Sequence, residues 1–471
     1  MDTDEFRSWA HRIADWMADY YETLEERPVK SQARPGDIFA HLPERPPLEK
    51  EDMERILADV DNIILPGMTH WQSPNFFAYF PANASFPSIL AEMITAAMGA
   101  QCMIWETSPA ATELEERVLD WLKEMIGIPQ EWSGVIQDTA STATLAALLC
   151  ARERATRYGI NESGFPGQPI LRAYCSIETH SSIEKAVKIA GLGRNNLMKI
   201  PVTGDYSMNV TALRAQVEND IKEGLKPCCI VATLGTTGCT AIDPLPEIAR
   251  ICSEYSIWLH IDAAYAGTAL LLPEYRWMIE GIGDADSFVF NPHKWMFTNF
   301  DCSAYFVKDR ESLIRTFEIL PEYLKTGTRG KVNDYRDWGI PLGRRFRALK
   351  LWFVIRCYGL EGLQELIRGH IGLARWFEQQ ISNDPDFELM APRTLSLVCF
   401  RYHPPIIENP EMLQKLNEML LESINSSGKA YLTHTKLGGK YTLRLSVAQT
   451  HVQVKHLEHA WELIKQKARE Q

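Results

Sequence analysis

The chain has 471 residues, a formal charge of −12 and 45% hydrophobic residues, with 13 Trp, 16 Tyr and 18 Phe. That is ample apolar material for a large core, which argues against a disordered chain, and the acidic balance argues against a nucleic-acid or anionic-membrane surface. Ten cysteines without one C-x-x-C pair speak against a disulfide framework or a zinc site and fit reduced, buried thiols.

The first residues, "MDTDEFRSW", do not have the character of a signal peptide. No run approaches the ~20 apolar residues of a membrane helix, so a cytoplasmic protein with no membrane partner is expected. Phe6, Trp9, Ile13, Trp16, Met17 and Tyr20 recur at three- and four-residue spacing, which predicts an amphipathic helix over 4–25. A proline-rich connector follows, then a second helix at about 48–63. Two such helices cannot close a core alone, so they need the rest of the chain or a second subunit.

From about 86 to 360, strand and helix patterns alternate. Strands are predicted at 170–176, 197–202, 228–234, 257–262, 287–290 and 302–307, and helices near 141–156, 181–191, 210–224 and 244–255. Short all-apolar strands between helices indicate a largely parallel sheet covered on both faces. The tail, 361–471, reads as a smaller α/β domain, with helices at 361–382 and 452–468 and strands at 395–402 and 441–446. The resulting division is 1–85, 86–360 and 361–471. The cluster "GRRFRALK" (343–350) is read as an interface or a surface salt-bridge network. His456 and His459, at i,i+3 on the last helix, have a spacing that metal sites use; with no Cys or carboxylate partner evident, a surface helix is expected there and no metal site.

In parallel sheets, ligands bind beyond the carboxyl ends of the strands. Asp262 ends the strand "IWLHID" and precedes Ala263, Ala264 and the rest of "AAYAG", small residues that admit close approach. Lys294, in "SFVFNPHKWMF", stands between two apolar runs, an expensive place for an unpaired ammonium. Asn291 and His293 flank it. His180 opens the helix of "ETHSSIEKAVKIA", and Thr139, Ala140, Ser141 and Thr142 lie at a helix start whose N–H groups and hydroxyls suit a phosphate. One lysine, one carboxylate and a phosphate cradle are the needs of pyridoxal phosphate. It takes an imine from lysine, a proton kept on its ring nitrogen by an acid, and a helix start for its phosphate.

"NPHKW", "HIDAAYAG", "THSSIEKA", "TLGTTG", "NFDCSAYFVK" and "IPLGRRFRALKLWF" together resemble the group II pyridoxal-phosphate-dependent amino-acid decarboxylases, most closely the aromatic-L-amino-acid decarboxylase branch with its tyrosine, tryptophan and histidine enzymes. The resemblance covers nearly the whole chain. It implies the type I, aspartate aminotransferase-like α/β fold: a mostly parallel seven-stranded sheet flanked by helices, an N-terminal helical arm and a small C-terminal α/β domain. It also implies a homodimer in which the arm clasps the partner. By the same resemblance Lys294 is the Schiff-base lysine, Asp262 the partner of the pyridinium nitrogen, and His180 the ring that stacks on the cofactor. Thr139, Ala140, Ser141, Thr237, Ala264, Asn291 and His293 complete the cofactor site.

The stretch 320–339 lacks a clear period and carries Gly327, Gly330 and Gly339, as lids and binding loops do. In the family it is the catalytic loop, and Tyr323 matches the tyrosine that protonates the substrate carbon. Aldehyde-forming relatives carry Phe there or Asn at the His180 position; neither change is present. Trp71, Tyr79 and Phe80, in an aromatic segment at 70–87 with no cation, match substrate-facing residues. Gly343 matches a position where Gly leaves room for large rings, while Ala82, Met103 and Ile104 depart from the animal pattern. The resemblance thus implies decarboxylation of an aromatic L-amino acid (Trp, 5-hydroxy-Trp, DOPA, Tyr or Phe) to the arylalkylamine and carbon dioxide. Aldehyde synthesis and histidine decarboxylation are the alternatives.

Overall fold

The structure, a computed structural model, describes residues 1–319 and 330–471. The chain divides into two compact units: Met1–Pro81 with Arg375–Met390 and Val398–Gln471, and Ala82–Ala374 with Ala391–Leu397.

The larger unit is built on seven strands: β1 (Ser133–Gln137), β2 (Leu171–Ser176), β3 (Leu197–Ile200), β4 (Lys226–Thr233), β5 (Trp258–Asp262), β6 (Ser287–Phe290) and β7 (Ser303–Val307). Their order is β1-β7-β6-β5-β4-β2-β3. Only β7 runs antiparallel to its neighbours; the pairs β6/β5, β5/β4, β4/β2 and β2/β3 are parallel. This is the mostly parallel sheet that all-apolar strands predict, since β5, β6 and β7 are buried at every position. β1 escaped the sequence pattern because it is short and opens with Ser133 and Gly134, both weak strand formers.

Helix Ala140–Ala155 is apolar almost all round and buried on most faces, its alanines allowing close packing. Helices Ser181–Ile189, Val210–Lys222 and Leu245–Tyr255 bury one face each. Helices Phe86–Met98 and Pro109–Ile126 were not anticipated by the strand–helix alternation. The long helix expected at 361–382 begins earlier: Arg347–Asn383 is two helices joined at Gly359, whose φ of 67° breaks the run.

The loop after β4 is tied down by a carboxylate. Asp243 accepts the Met208 N–H at 2.8 Å on Oδ1 and the Thr233 N–H at 2.7 Å on Oδ2, and burial pushes its carboxyl up to about 7 against the pull of those two N–H groups. In Asp243→Asn an amide NH2 faces one of these donors, leaving two donors opposed. The expected loss is about 1–3 kcal/mol, read as a lower denaturation midpoint; an unchanged midpoint would mean the strut is dispensable.

The basic cluster is more buried than a surface network. Arg344 Nη2 donates to Glu115 Oε1 at 2.6 Å and to the Ile136 carbonyl at 2.9 Å, with both ionic side chains nearly inaccessible. Lys350, also buried, meets Glu92 at 3.1 Å. Arg345 pairs with Glu92, and Arg347 makes two bonds, 3.0 and 3.1 Å, to Asp301. Breaking such a buried pair leaves an uncompensated charge, so the cluster holds the 343–350 segment in one place.

In the smaller unit, helix Thr3–Glu22 is capped by Asp2, which accepts the Asp4 and Glu5 N–H groups. None of its residues is buried. A four-stranded sheet, order β10-β11-β9-β8, consists of β8 (Phe387–Leu389), β9 (Leu397–Tyr402), β10 (Thr433–Leu437) and β11 (Lys440–Ser446). Gly438 and Gly439, both at positive φ, make the two-residue turn between β10 and β11. His456 is not on a surface helix face as expected: it is buried, its Nδ1 accepts the Gln453 N–H at 2.9 Å, and its Nε2 lies 3.3 Å from Glu25. The Nδ1 bond caps the start of the last helix.

Candidate active site

Because β1, β2, β4, β5 and β6 run the same way, their carboxyl ends share one edge of the large sheet. Every charged or polar residue singled out in that unit's strand–loop junctions lies there.

The β5 end carries Asp262, which is 5% exposed and pairs in register with Thr233 of β4 and Val289 of β6. Its Oδ1 accepts the Ala264 N–H at 3.0 Å, which holds the carboxylate by its own turn. The next strand, β6, leads through Asn291 into the one-turn helix Pro292–Trp295. Asn291 is fixed twice, by its N–H to the Ala264 carbonyl at 3.0 Å and by the Ser303 hydroxyl donating to its Oδ1. Lys294 is half-buried; burial holds its pKa below the ordinary lysine range, with the Asp262 charge opposing. His293 is buried, its Nδ1 accepting the Cys302 N–H at 2.9 Å. Burial first, and then the Lys294 charge, bring its pKa down to about 3, so the ring is neutral.

After β2, His180 caps helix Ser181–Ile189: its Nδ1 accepts the Ser182 N–H at 3.2 Å and lies 2.8 Å from Ser182 Oγ. Its pKa is lowered by burial, then by Lys294, with Asp262 raising it. His180, Lys294 and Asp262 therefore feel one another's charge. After β1, Thr139 caps helix Ala140–Ala155 and accepts the Thr142 N–H at 3.4 Å. The N–H groups of Ala140 and Ser141, in the first turn, have no partner inside the helix. After β4, Thr237 is half-buried in a loop whose Gly235 has φ +81° and would set a Cβ 2.8 Å from that of Ala266. That close approach brings the β4 loop against the turn following Asp262.

Ala82 and Met103 are half-buried in the same unit. Asn83, next to Ala82, donates its N–H to the His293 carbonyl at 3.1 Å, and the Met103 carbonyl accepts the Arg336 N–H at 2.9 Å. Gly343 is exposed, and a Cβ there would meet Gln101 Nε2 at 3.2 Å. In the smaller unit, Trp71 stacks on Tyr79 with centroids 5.7 Å apart, and Arg444 lies over the Phe80 ring at 5.4 Å. Tyr323 lies outside the described residues.

Sequence reasoning missed several supports. His260, fully buried two residues before Asp262, bridges Thr144 Oγ1 (3.2 Å) and Ser287 Oγ (2.9 Å), and burial takes its pKa down to about 4. Its i,i+2 spacing to Asp262 on one strand face was the available signal. Asn83 and Ser303 carried none.

The donor set fits pyridoxal phosphate. There is an amine of lowered basicity, a carboxylate at the adjacent strand end, a capping imidazole, and a helix start with free N–H groups and hydroxyls for an anion. Residues 35–403 match the pyridoxal-dependent decarboxylase conserved domain. The chain is 45% identical to tyrosine decarboxylase 2 of Narcissus pseudonarcissus, over 99% of this chain and 95% of the relative. It is 44% identical to phenylacetaldehyde synthase of Arabidopsis thaliana, over 99% and 96%. A solved structure of Oryza sativa TDC with PLP and tryptamine superposes with a TM-score of 0.97 at 37% identity, covering 100% of this chain and 99% of that one. With a sheet edge that presents these groups and likeness along nearly its full length, the chain belongs to the pyridoxal-dependent decarboxylases, lyases that work with pyridoxal phosphate.

Proposed function

We propose that this enzyme decarboxylates an aromatic L-amino acid to the arylalkylamine, with Lys294, Asp262, His180 and Tyr323 as its catalytic residues. The observation that carries the reading is the meeting of Asp262 and Lys294 at the ends of neighbouring strands, beside His180. Similarity to a tyrosine decarboxylase and to a TDC structure holding tryptamine supports the aromatic substrate.

Bound pyridoxal phosphate supplies an electron sink for the bond between Cα and the carboxylate. Lys294, whose amine burial makes less basic than an ordinary lysine, would be the residue that holds the cofactor covalently. Buried Asp262 would keep a proton on the ring nitrogen. The first-turn N–H groups of Ala140 and Ser141, with the Thr139 and Ser141 hydroxyls, would anchor the phosphate. His180 would cover the face of the cofactor ring. By the family resemblance Trp71, Tyr79, Phe80, Ala82, Met103 and Gly343 are the substrate-side residues, and Tyr323 the one that delivers the proton to Cα once carbon dioxide has left.

We also infer a homodimer in the cytoplasm. Helix Thr3–Glu22 has no buried residue although its apolar stripe is strong, and Phe86, Leu90, Ile94 and Met98 are exposed along helix Phe86–Met98; faces of this kind call for a partner surface. All ten cysteines are free, which fits a reducing compartment. Among the described residues no helix is long and apolar enough to cross a membrane.

Aldehyde formation is the second reading, favoured by the 44% identity to phenylacetaldehyde synthase. His180 and Tyr323 weigh against it. Product analysis with Trp, Tyr, Phe, DOPA and His separates the two: amine with one carbon dioxide is expected, and predominant aldehyde with ammonia would overturn the first reading. Tyr323→Phe should retain the cofactor and, in air, divert most product to aldehyde, carbon dioxide and ammonia with dioxygen reduced to hydrogen peroxide; undiminished amine output would remove Tyr323 from its role.

A further inference from the structure

Lys294 rides on a helix of four residues, Pro292–Trp295, far too short to hold its own orientation. What holds it lies behind it. The Trp295 ring, fully buried, stacks on Tyr265 with centroids 4.7 Å apart and planes within 5°. Tyr265 belongs to the turn that follows Asp262, and its hydroxyl is bonded to Ser396 Oγ. The stack therefore joins the lysine segment to the aspartate segment side chain to side chain. Their backbones also approach closely, since a Cβ on Gly267 would fall 2.3 Å from Phe290 Cβ.

A buried indole N–H must find an acceptor. Trp295 Nε1 donates to His370 Nδ1 at 2.9 Å. His370 is itself 4% exposed and lies on helix Arg347–Asn383 beyond the Gly359 break. Its ring also meets Phe297 edge-on at 5.8 Å. One imidazole thus contacts aromatic residues on the segment just after Lys294, at two positions, and orients the first of them by a directional bond.

We propose that His370 is a positioning residue for the decarboxylation: by accepting the Trp295 N–H it fixes the Trp295–Tyr265 stack and with it the placement of Lys294 relative to Asp262. This rests on the reading of Lys294 and Asp262 given above. His370 touches neither cofactor nor substrate in this role; it acts through Trp295. A leucine of similar size would fill the space and leave the indole N–H without its acceptor. An asparagine would present Oδ1 close to where Nδ1 stands.

The test compares His370→Leu with His370→Asn in the holoenzyme, following the pH titration of the visible cofactor band, kcat and KM separately, and thermal melting. His370→Leu is expected to move the band's pH midpoint by roughly half a unit or more and to lower kcat about tenfold with KM within about twofold. His370→Asn is expected to restore both. A leucine variant with wild-type midpoint and kcat overturns the proposal. So do two variants that lose kcat equally and in step with their melting temperatures, which is the mark of a merely structural histidine. Should His370→Leu fail to fold, Trp295→Phe keeps a ring against Tyr265, removes the donor along with part of the ring volume, and is held to the same expected shift. Lys294→Ala, reduced with borohydride and weighed in parallel, keeps the two levels apart. A cofactor still linked to that variant overturns the assignment of Lys294 itself, whereas its loss beside a silent His370→Leu overturns only the role of His370.

Discussion

Lys294→Ala yields a folded protein with no covalent cofactor band and a kcat reduced by at least about a thousandfold. The fold survives because the residue is half-buried and its segment is held by its neighbours, through Asn291, His293 and Trp295. Turnover does not, because the site offers the cofactor no second amine placed at the end of β6. Loss of the ammonium has a secondary signature: its charge lowers the pKa values of His180 and His293, so both rise in the variant. Mass analysis after borohydride reduction reads the main effect and proton NMR of the imidazoles the second. A retained linkage would dismiss Lys294 as the anchor.

Asp262→Asn is the sharper of the two changes, since it alters charge and almost nothing else. Asn Oδ1 can still accept the Ala264 N–H that Asp262 Oδ1 takes at 3.0 Å, so the turn after β5 is kept. The anionic partner for the ring nitrogen is gone, and with it the electron demand that drives loss of carbon dioxide. A fall in kcat of about a thousandfold is expected, with the Lys294 linkage intact. Because Asp262 also raises the Lys294 pKa, that pKa drops further in the variant. A kcat within about tenfold of wild type would mean that the carboxylate serves only its turn.

The large sheet was legible where burial was complete. β5, β6 and β7 are mostly apolar and buried at every position, and such short runs between helices suit strands. β8 and β10 were not, because Phe387–Leu389 is three residues long and "THTKL" alternates polar side chains on an exposed hairpin. Lys294 announced itself by cost, a charge between two apolar runs, and Asp262 by its place at a strand end. The supports of the site were silent. The Asn83 backbone N–H reaches the His293 carbonyl and the Ser303 hydroxyl reaches Asn291 across the fold; the first bond needs no particular side chain, and a lone Ser in a sequence looks the same whether or not it makes the second. The substrate-side assignments at Trp71, Tyr79, Phe80, Ala82, Met103 and Gly343 came from likeness to a family, since no spacing distinguishes a pocket aromatic from a core one.

The strand order has a consequence for how the enzyme comes to life. β1, the first strand synthesised, finds its place only against β7, the last of the seven. The strand that leads into the Thr139–Ser141 helix start thus has no paired neighbour until the final strand has been laid between β1 and β6. Closing so long a loop is slow relative to local pairing. A chain still leaving the ribosome has β1 unpaired until β7 has emerged, and Lys294 itself emerges only shortly before β7, so capture of pyridoxal phosphate is a late folding event. The cofactor then acts as a latch, stabilising by mass action only those chains that have completed the sheet.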